Sequence, residues 1–363
     1  MSKSMSNLPT VSVESAKTII RSLFDEISNA DDNKLSQGIF LWGPPGVGKS
    51  DLVKQLAAEK EMPMVDLRLP LMDPVDLRGL PMVDKEAHIA RWLPPDFLPA
   101  ADSPPGILFL DEINAAPPAI QASAYQLILD KRIGTYKLPT GWVVIAAGNR
   151  VSDRSVAYKL PTALANRFTH LEITPKIDDW TSWAWKHTID PFIISFLRMH
   201  PDMLIRFDPR TNDTAFPSPR SWAFVSRLRK LREEDLRLYM NTVQGTVGDS
   251  ASQQFLAFLN YRDELPDPQD ILDGNPYEIP QTIDAQYVLM AGIIRSLLEN
   301  VTDDRINGFF NYTAQFEDSR FSDYAVVLVK ETYDAFRQAK RISEFTRHPA
   351  FDAWLERNTS VIL

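Results

Sequence analysis

The sequence predicts an α/β protein: a parallel sheet with flanking helices in the first half, followed by an all-α second half. Three observations predict it. Short apolar runs alternate with helical patterns up to about residue 175, a glycine-rich turn joins one of those runs to a helix, and beyond residue 175 the apolar spacing becomes helical.

The runs are GIFLW (38–42), PMVDLRL (63–69), ILFL (107–110), WVVIAA (142–147) and HLEI (170–173). Runs this short and this apolar suit strands covered on both faces, which implies parallel pairing with crossover helices. Two such helices are visible. DLVKQLAAEK puts Leu52, Val53, Leu56 and Ala57 on one face, and PPAIQASAYQLILDK does the same with Ile120, Ala124, Leu127 and Ile128. Later, Val326, Val329, Tyr333 and Phe336 keep helical spacing. Proline-rich breaks at 207–219 and 265–280 interrupt the helical half, because proline removes an amide donor and fixes φ.

Bulk composition excludes several classes. With 363 residues, 44% hydrophobic and 24% charged, the chain can bury a full core in two or three packing units. It contains no cysteine, and His88, His170, His187, His200 and His348 are scattered, so neither a disulfide framework nor a cysteine or histidine metal site is expected. The N-terminal stretch lacks a signal-peptide core and no window reaches the roughly 20 apolar residues of a spanning helix, so a cytoplasmic location without membrane insertion is expected. A net charge of -9 disfavours a dedicated nucleic-acid binder.

The chemistry concentrates in three segments. GPPGVGKS, Gly43, Pro44, Pro45, Gly46, Val47, Gly48, Lys49 and Ser50, follows an apolar strand and opens a helix with Asp51, the context of a phosphate-binding loop. Its glycines let backbone amides face phosphate oxygens, Lys49 would bridge the β and γ phosphates, and the Ser50 hydroxyl would ligate Mg²⁺. ILFLDE ends a buried strand on Asp111, a magnesium ligand of Walker B type, and Glu112, a general base for water. WVVIAAGN ends on Asn149, whose amide could hold that water.

This ordered set resembles the AAA+ superfamily over about residues 35–230. More narrowly, DLRGLP (76–81), ARWLPPDFLP (90–99), LFLDEINAAPP (109–118), AAGNR (146–150), LPTALANRF (160–168) and SPRSW (218–222) resemble the MoxR group.

The resemblance implies an AAA+ core over 1–175, a helical lid over 176–300 and a C-terminal extension over 301–363. It implies pore-facing inserts at about 78–99 and 131–141. It makes Arg167 an arginine finger acting on the neighbouring subunit of a homo-oligomeric ring, most often a hexamer. It makes Arg220 the sensor 2 arginine, with Arg150 and Arg210 as rivals. The alternative for Arg167 is a helix-end arginine in a surface ion pair. Trp92, Phe97 and Tyr136 in the inserts could grip a client or pack their own insert. Trp180, Trp183 and Trp185 suit a helix packed between core and lid better than a stacking platform.

The function implied is a chaperone-like remodelling ATPase using ATP and Mg²⁺ and working with a partner that carries a von Willebrand factor A domain. Two alternatives stand beside it: a nucleic-acid translocase of restriction type, faintly suggested by GNRVSDRS (148–155), and a scaffold that uses ATP only to hold a ring together. No residue visibly reads the base, so adenine over guanine rests on the resemblance.

Overall fold

A computed structural model describes residues 8–29, 37–86, 88–150, 153, 158, 160–211, 213–261, 265–316 and 321–358. The chain forms two compact units, one running to Lys176 and including the segment that begins at Phe207, the other comprising Ile177–Arg206 and the chain from Asp213 onward.

In the first unit the strands are β1 (Thr10–Val11), β2 (Gly38–Trp42), β3 (Met64–Arg68), β4 (Leu80–Asp84), β5 (Ile89–Leu93), β6 (Ile107–Asp111), β7 (Arg132–Ile133), β8 (Tyr136–Lys137), β9 (Val143–Gly148) and β10 (Phe168–Ile173). Among the described residues, six of them form one parallel sheet in the order β1-β10-β2-β9-β6-β3. Its central strands β6 and β9 are buried along their whole length, as their unbroken apolar sequence requires.

The helices here are α1 (Val13–Asn29), α2 (Lys49–Glu59), α3 (Pro74–Arg78), α4 (Pro118–Asp130) and α5 (Thr162–Ala165). Leu52, Val53, Leu56 and Ala57 form the buried face of α2, and Ile120, Ala124, Leu127 and Ile128 that of α4. α1 has no counterpart in the sequence expectations. It packs beside α2, where Glu59 accepts from buried Lys17 at 3.1 Å and pairs with Arg21. Burial alone would raise the Glu59 pKa, but the hydrogen bonds from Arg21 and Lys17 outweigh it and hold the carboxyl below its ordinary value.

The two expected inserts are antiparallel ribbons, β4 with β5 and β7 with β8. They touch each other. Thr135 Oγ1 donates to the Trp92 carbonyl at 3.0 Å, and the Tyr136 hydroxyl donates to the Pro99 carbonyl at 2.9 Å. Tyr136 and Phe97 are partly buried against the sheet core, so both pack at home; Trp92 stays exposed.

The second unit is helical: α6 (Ile177–Lys186), α7 (Pro191–Met199), α8 (Pro219–Arg227), α9 (Arg229–Glu234), α10 (Leu236–Val247), α11 (Asp249–Asn260), α12 (Pro268–Leu272), α13 (Ile283–Glu299), α14 (Asp303–Ala314), α15 (Ser322–Gln338), α16 (Ile342–Thr346) and α17 (Pro349–Arg357). One apolar core runs from Trp180 to Trp354, continuous across residue 300, where the sequence expectation has a lid give way to an extension. Trp180 and Trp185 are buried in that core and Trp183 packs against it, which leaves no stacking platform. Inside it lies a charged cluster: Glu331 accepts from Trp185 Nε1 at 2.6 Å and from Arg198 Nε at 2.6 Å, and Arg198 also pairs with Asp178. Among the described residues no helix is long and apolar enough to cross a membrane.

Candidate nucleotide-binding site

β2 has β10 on one side and β9 on the other, so the chain crosses over in opposite senses around it. The crevice beyond the carboxyl end of such a strand is where open parallel sheets bind ligands. Residues 43–50 lie there. Gly46 and Gly48 adopt φ of 82° and 97°, left-handed values that side chains resist, and Gly48 caps α2 without a side-chain hydrogen bond. The first amides of α2 thus face outward as donors, with the positive end of the helix dipole behind them.

Four of the expected residues are hydrogen-bonded in two pairs, Lys49 with Asn149 and Ser50 with Asp111. Lys49, only 8% exposed, donates from Nζ to the Gly43 carbonyl at 2.6 Å, the Pro44 carbonyl at 3.1 Å and Asn149 Oδ1 at 2.9 Å. An ammonium only donates, so the Asn149 oxygen must face it, which leaves the Asn149 amide nitrogen to donate elsewhere. The Ser50 hydroxyl donates to Asp111 Oδ2 at 2.8 Å.

Glu112 follows Asp111 with an exposed side chain and a backbone φ of 56°, an uncommon left-handed conformation for a residue with a side chain. Its amide donates to Asp111 Oδ1 at 3.0 Å, which helps to hold the turn. Such strained positions cluster at functional sites.

Ser50 and Asp111 offer a hydroxyl and a carboxylate oxygen side by side, a hard-oxygen pair that fits Mg²⁺ completed by water and phosphate. Among the described residues, no group of three or more acidic or histidine side chains forms a separate metal site.

Arg167 is exposed, and its carbonyl accepts from the Gly38 amide at 3.1 Å. It therefore sits at the amino end of the sheet, while the phosphate loop follows Trp42 at the other end of the same strand. Five residues of strand separate them by roughly 17 Å, beyond the reach of an arginine side chain. Arg220 lies in the helical unit, exposed on the first turn of α8, which Ser218 caps by accepting from the Ser221 amide at 3.1 Å.

The rival arginines have other partners. Arg150 pairs with Glu172, and Arg210 pairs with Asp208, whose carboxylate raises its pKa. Of GNRVSDRS, Val151, Ser152, Arg154 and Ser155 lie outside the described residues.

Two arrangements went unread in the sequence. Trp42, the last residue before the loop, donates from Nε1 to His170 Nδ1 at 2.9 Å, and His170 Nε2 lies 2.8 Å from the Ala165 carbonyl. Indole only donates, so His170 carries its proton on Nε2 and donates it to Ala165. The second is Asn114, 1% exposed, which donates from Nδ2 to the Asn149 carbonyl at 2.6 Å.

The chain is 28% identical over 180 residues to the ATP-dependent zinc metalloprotease YME1 homolog of Caenorhabditis elegans, covering 46% of this chain and 23% of that one. It is 30% identical over 112 residues to the peroxisomal ATPase pex6 of Schizosaccharomyces pombe, covering 29% and 11%. The chain thus spans less than a quarter of either relative's length. Among solved structures, a Thermotoga maritima RuvB Holliday junction branch migration motor aligns over 72% of this chain and 73% of its own, at 17% identity and a TM-score of 0.36. Residues 39–175 match the ATPase family associated with various cellular activities (AAA), so this chain carries an AAA domain.

Proposed function

We propose that the chain is a ring-forming AAA+ ATPase of MoxR type that couples ATP hydrolysis to remodelling or activation of a partner protein. The observation that carries the reading is the two hydrogen-bonded pairs, Lys49 with Asn149 and Ser50 with Asp111, next to an exposed Glu112 in sequence.

The loop amides and Lys49 bind the β and γ phosphates. Ser50 and Asp111 would hold Mg²⁺, which would supply positive charge to the phosphate oxygens. The Glu112 carboxylate takes the proton of the attacking water, and the Asn149 amide nitrogen, turned away from Lys49, orients that water. The register that keeps Arg167 from its own loop supports its use on the site of a neighbouring copy, as in a hexameric ring. Arg220, on a capped helix of the other unit, serves as the sensor arginine.

A protein client is supported by the β4–β5 ribbon. Leu80, Met82, Val83, Ile89 and Leu93 are each at least half exposed and lie on both of its faces, an apolar surface of the kind that marks protein contacts. A partner with a von Willebrand factor A domain and a cytoplasmic location remain part of this reading through the family resemblance.

The test is steady-state ATP and GTP hydrolysis against protein concentration, with light scattering on the same samples, for the wild type, Glu112→Gln and Arg167→Ala. Specific activity should rise with a ring-sized species, and both variants should lose at least about 100-fold. Equal turnover of GTP, stimulation by DNA, or an active Glu112→Gln variant would each overturn a part of the reading.

A further inference from the structure

β6 and β9 are hydrogen-bonded neighbours only as far as the pair Leu110↔Ala146. Beyond that pair each strand continues into the residue the reaction needs, Glu112 on one and Asn149 on the other, and the sheet ladder no longer fixes their separation. Asn114 spans this gap. Its Nδ2 donates to the Asn149 carbonyl at 2.6 Å, and its own carbonyl accepts from the Tyr158 amide at 2.6 Å. Its side chain also fills the space over Gly148, where an added Cβ would lie 2.9 Å from Asn114 Cγ and closer still to Oδ1. Position 148 therefore has to be glycine for Asn114 to sit where it does.

A buried carboxamide is costly unless it is hydrogen-bonded, and this one is bonded to the backbone of the proposed water-orienting residue from two positions past the proposed base. We propose that Asn114 is a positioning residue that sets the distance between Glu112 and Asn149 and so aligns the attacking water. Its hydrogen bonds run to the Asn149 carbonyl and the Tyr158 amide, so it acts on turnover and leaves nucleotide affinity alone. The inference rests on the hydrolysis reading above.

Three variants test it: Asn114→Ser, whose shorter side chain cannot reach the Asn149 carbonyl; Asn114→Asp, which keeps the shape; and Gly148→Ala, which displaces Asn114 from the other side. Asn114→Ser and Gly148→Ala should lower kcat by about 10- to 100-fold, the scale of an ångström-level misplacement, while the Kd of a non-hydrolysable ATP analogue stays within about threefold.

Asn114→Asp carries the sharper signature. Protonated, the introduced carboxyl donates to the Asn149 carbonyl as the amide does; ionised, it sets an anion against that oxygen. Its turnover relative to wild type should therefore fall as pH rises. A merely structural role would give no such trend.

Hydrogen exchange of the peptides containing residues 112–114 and 148–149 reads the link whether or not ATP turns over, and both should lose protection together in Asn114→Ser. Turnover within about twofold of wild type, losses that follow analogue binding, a pH-independent ratio, or unchanged exchange would each overturn the proposal. A wild type that hydrolyses no ATP would instead remove the function assigned above, and the exchange result would still decide the link. If Gly148→Ala fails to fold, Asn114→Ser decides alone.

Discussion

Lys131 ends α4 with a backbone φ of 53° and is only 9% exposed. Among the described residues its ammonium has no carboxylate or hydrogen-bond partner, and burial pulls its pKa from the ordinary 10.5 down to about 8. At about 1.4 kcal/mol per pH unit, that drop amounts to about 3 kcal/mol. The sign follows from proton linkage. Between pH 8 and 10.5 the unfolded chain binds a proton that the folded chain has released, so stability rises with pH across this window. Below it both states are protonated, and the folded state bears the full cost of a buried charge.

Lys131→Met keeps the length of the side chain and removes the charge. Denaturant unfolding of the two proteins in parallel, near neutral pH and at about pH 10, should show the variant more stable by up to about 3 kcal/mol at the lower pH, with most of that advantage gone at the higher. Taking the difference at each pH cancels every other titrating group. A difference that does not change with pH, or a variant less stable at neutral pH, would refute the reasoning.

Arg167→Ala and Glu112→Gln, each inactive alone, should regain a fraction of wild-type ATP turnover when mixed, because some neighbouring pairs then combine an intact base with an intact finger; mixtures that stay inactive would rule out action in trans. His170→Phe retains a ring beside Phe40 but strands the Trp42 indole donor and the Ala165 carbonyl, and thermal melting should register a loss of about 1–3 kcal/mol. Glu331→Leu leaves Arg198 inside the helical core without its buried partner, which should cost about 3–5 kcal/mol in the same assay.

The phosphate loop, the two carboxylates and the asparagine were legible because each ends an apolar run that the sheet buries, and their spacing to the strand is local. Strand β6 shows this well: ILFL fixes the strand and therefore fixes where Asp111 and Glu112 emerge. β1 was missed because a two-residue strand carries no periodicity, whereas α1 does carry a helical signal in the spacing of Ala16, Ile20 and Phe24. Asn114 stood inside LFLDEINAAPP in plain view. Its role depends on a carbonyl 35 positions away, and no local pattern separates a buried asparagine from one that merely ends a turn. The long bond between Trp42 and His170 was hidden for the same reason. Whether Tyr136 faces outward is decided by the Pro99 carbonyl, 37 positions away in the chain.

The uninterrupted core of the helical unit bears on how such a chain tolerates shortening. Phe309, Phe310, Phe345 and Phe351 pack ring against ring with α15, and all of them come after residue 300. Removing them would also expose the part of α13 that packs on α14 and α15, so a deletion in this region would yield not a trimmed motor but a sticky chain exposed to the proteases and chaperones that police unfolded protein. A label or fusion partner is better carried on an exposed turn outside the β4–β5 ribbon, such as Ala101–Asp102, than obtained by cutting into the last helices.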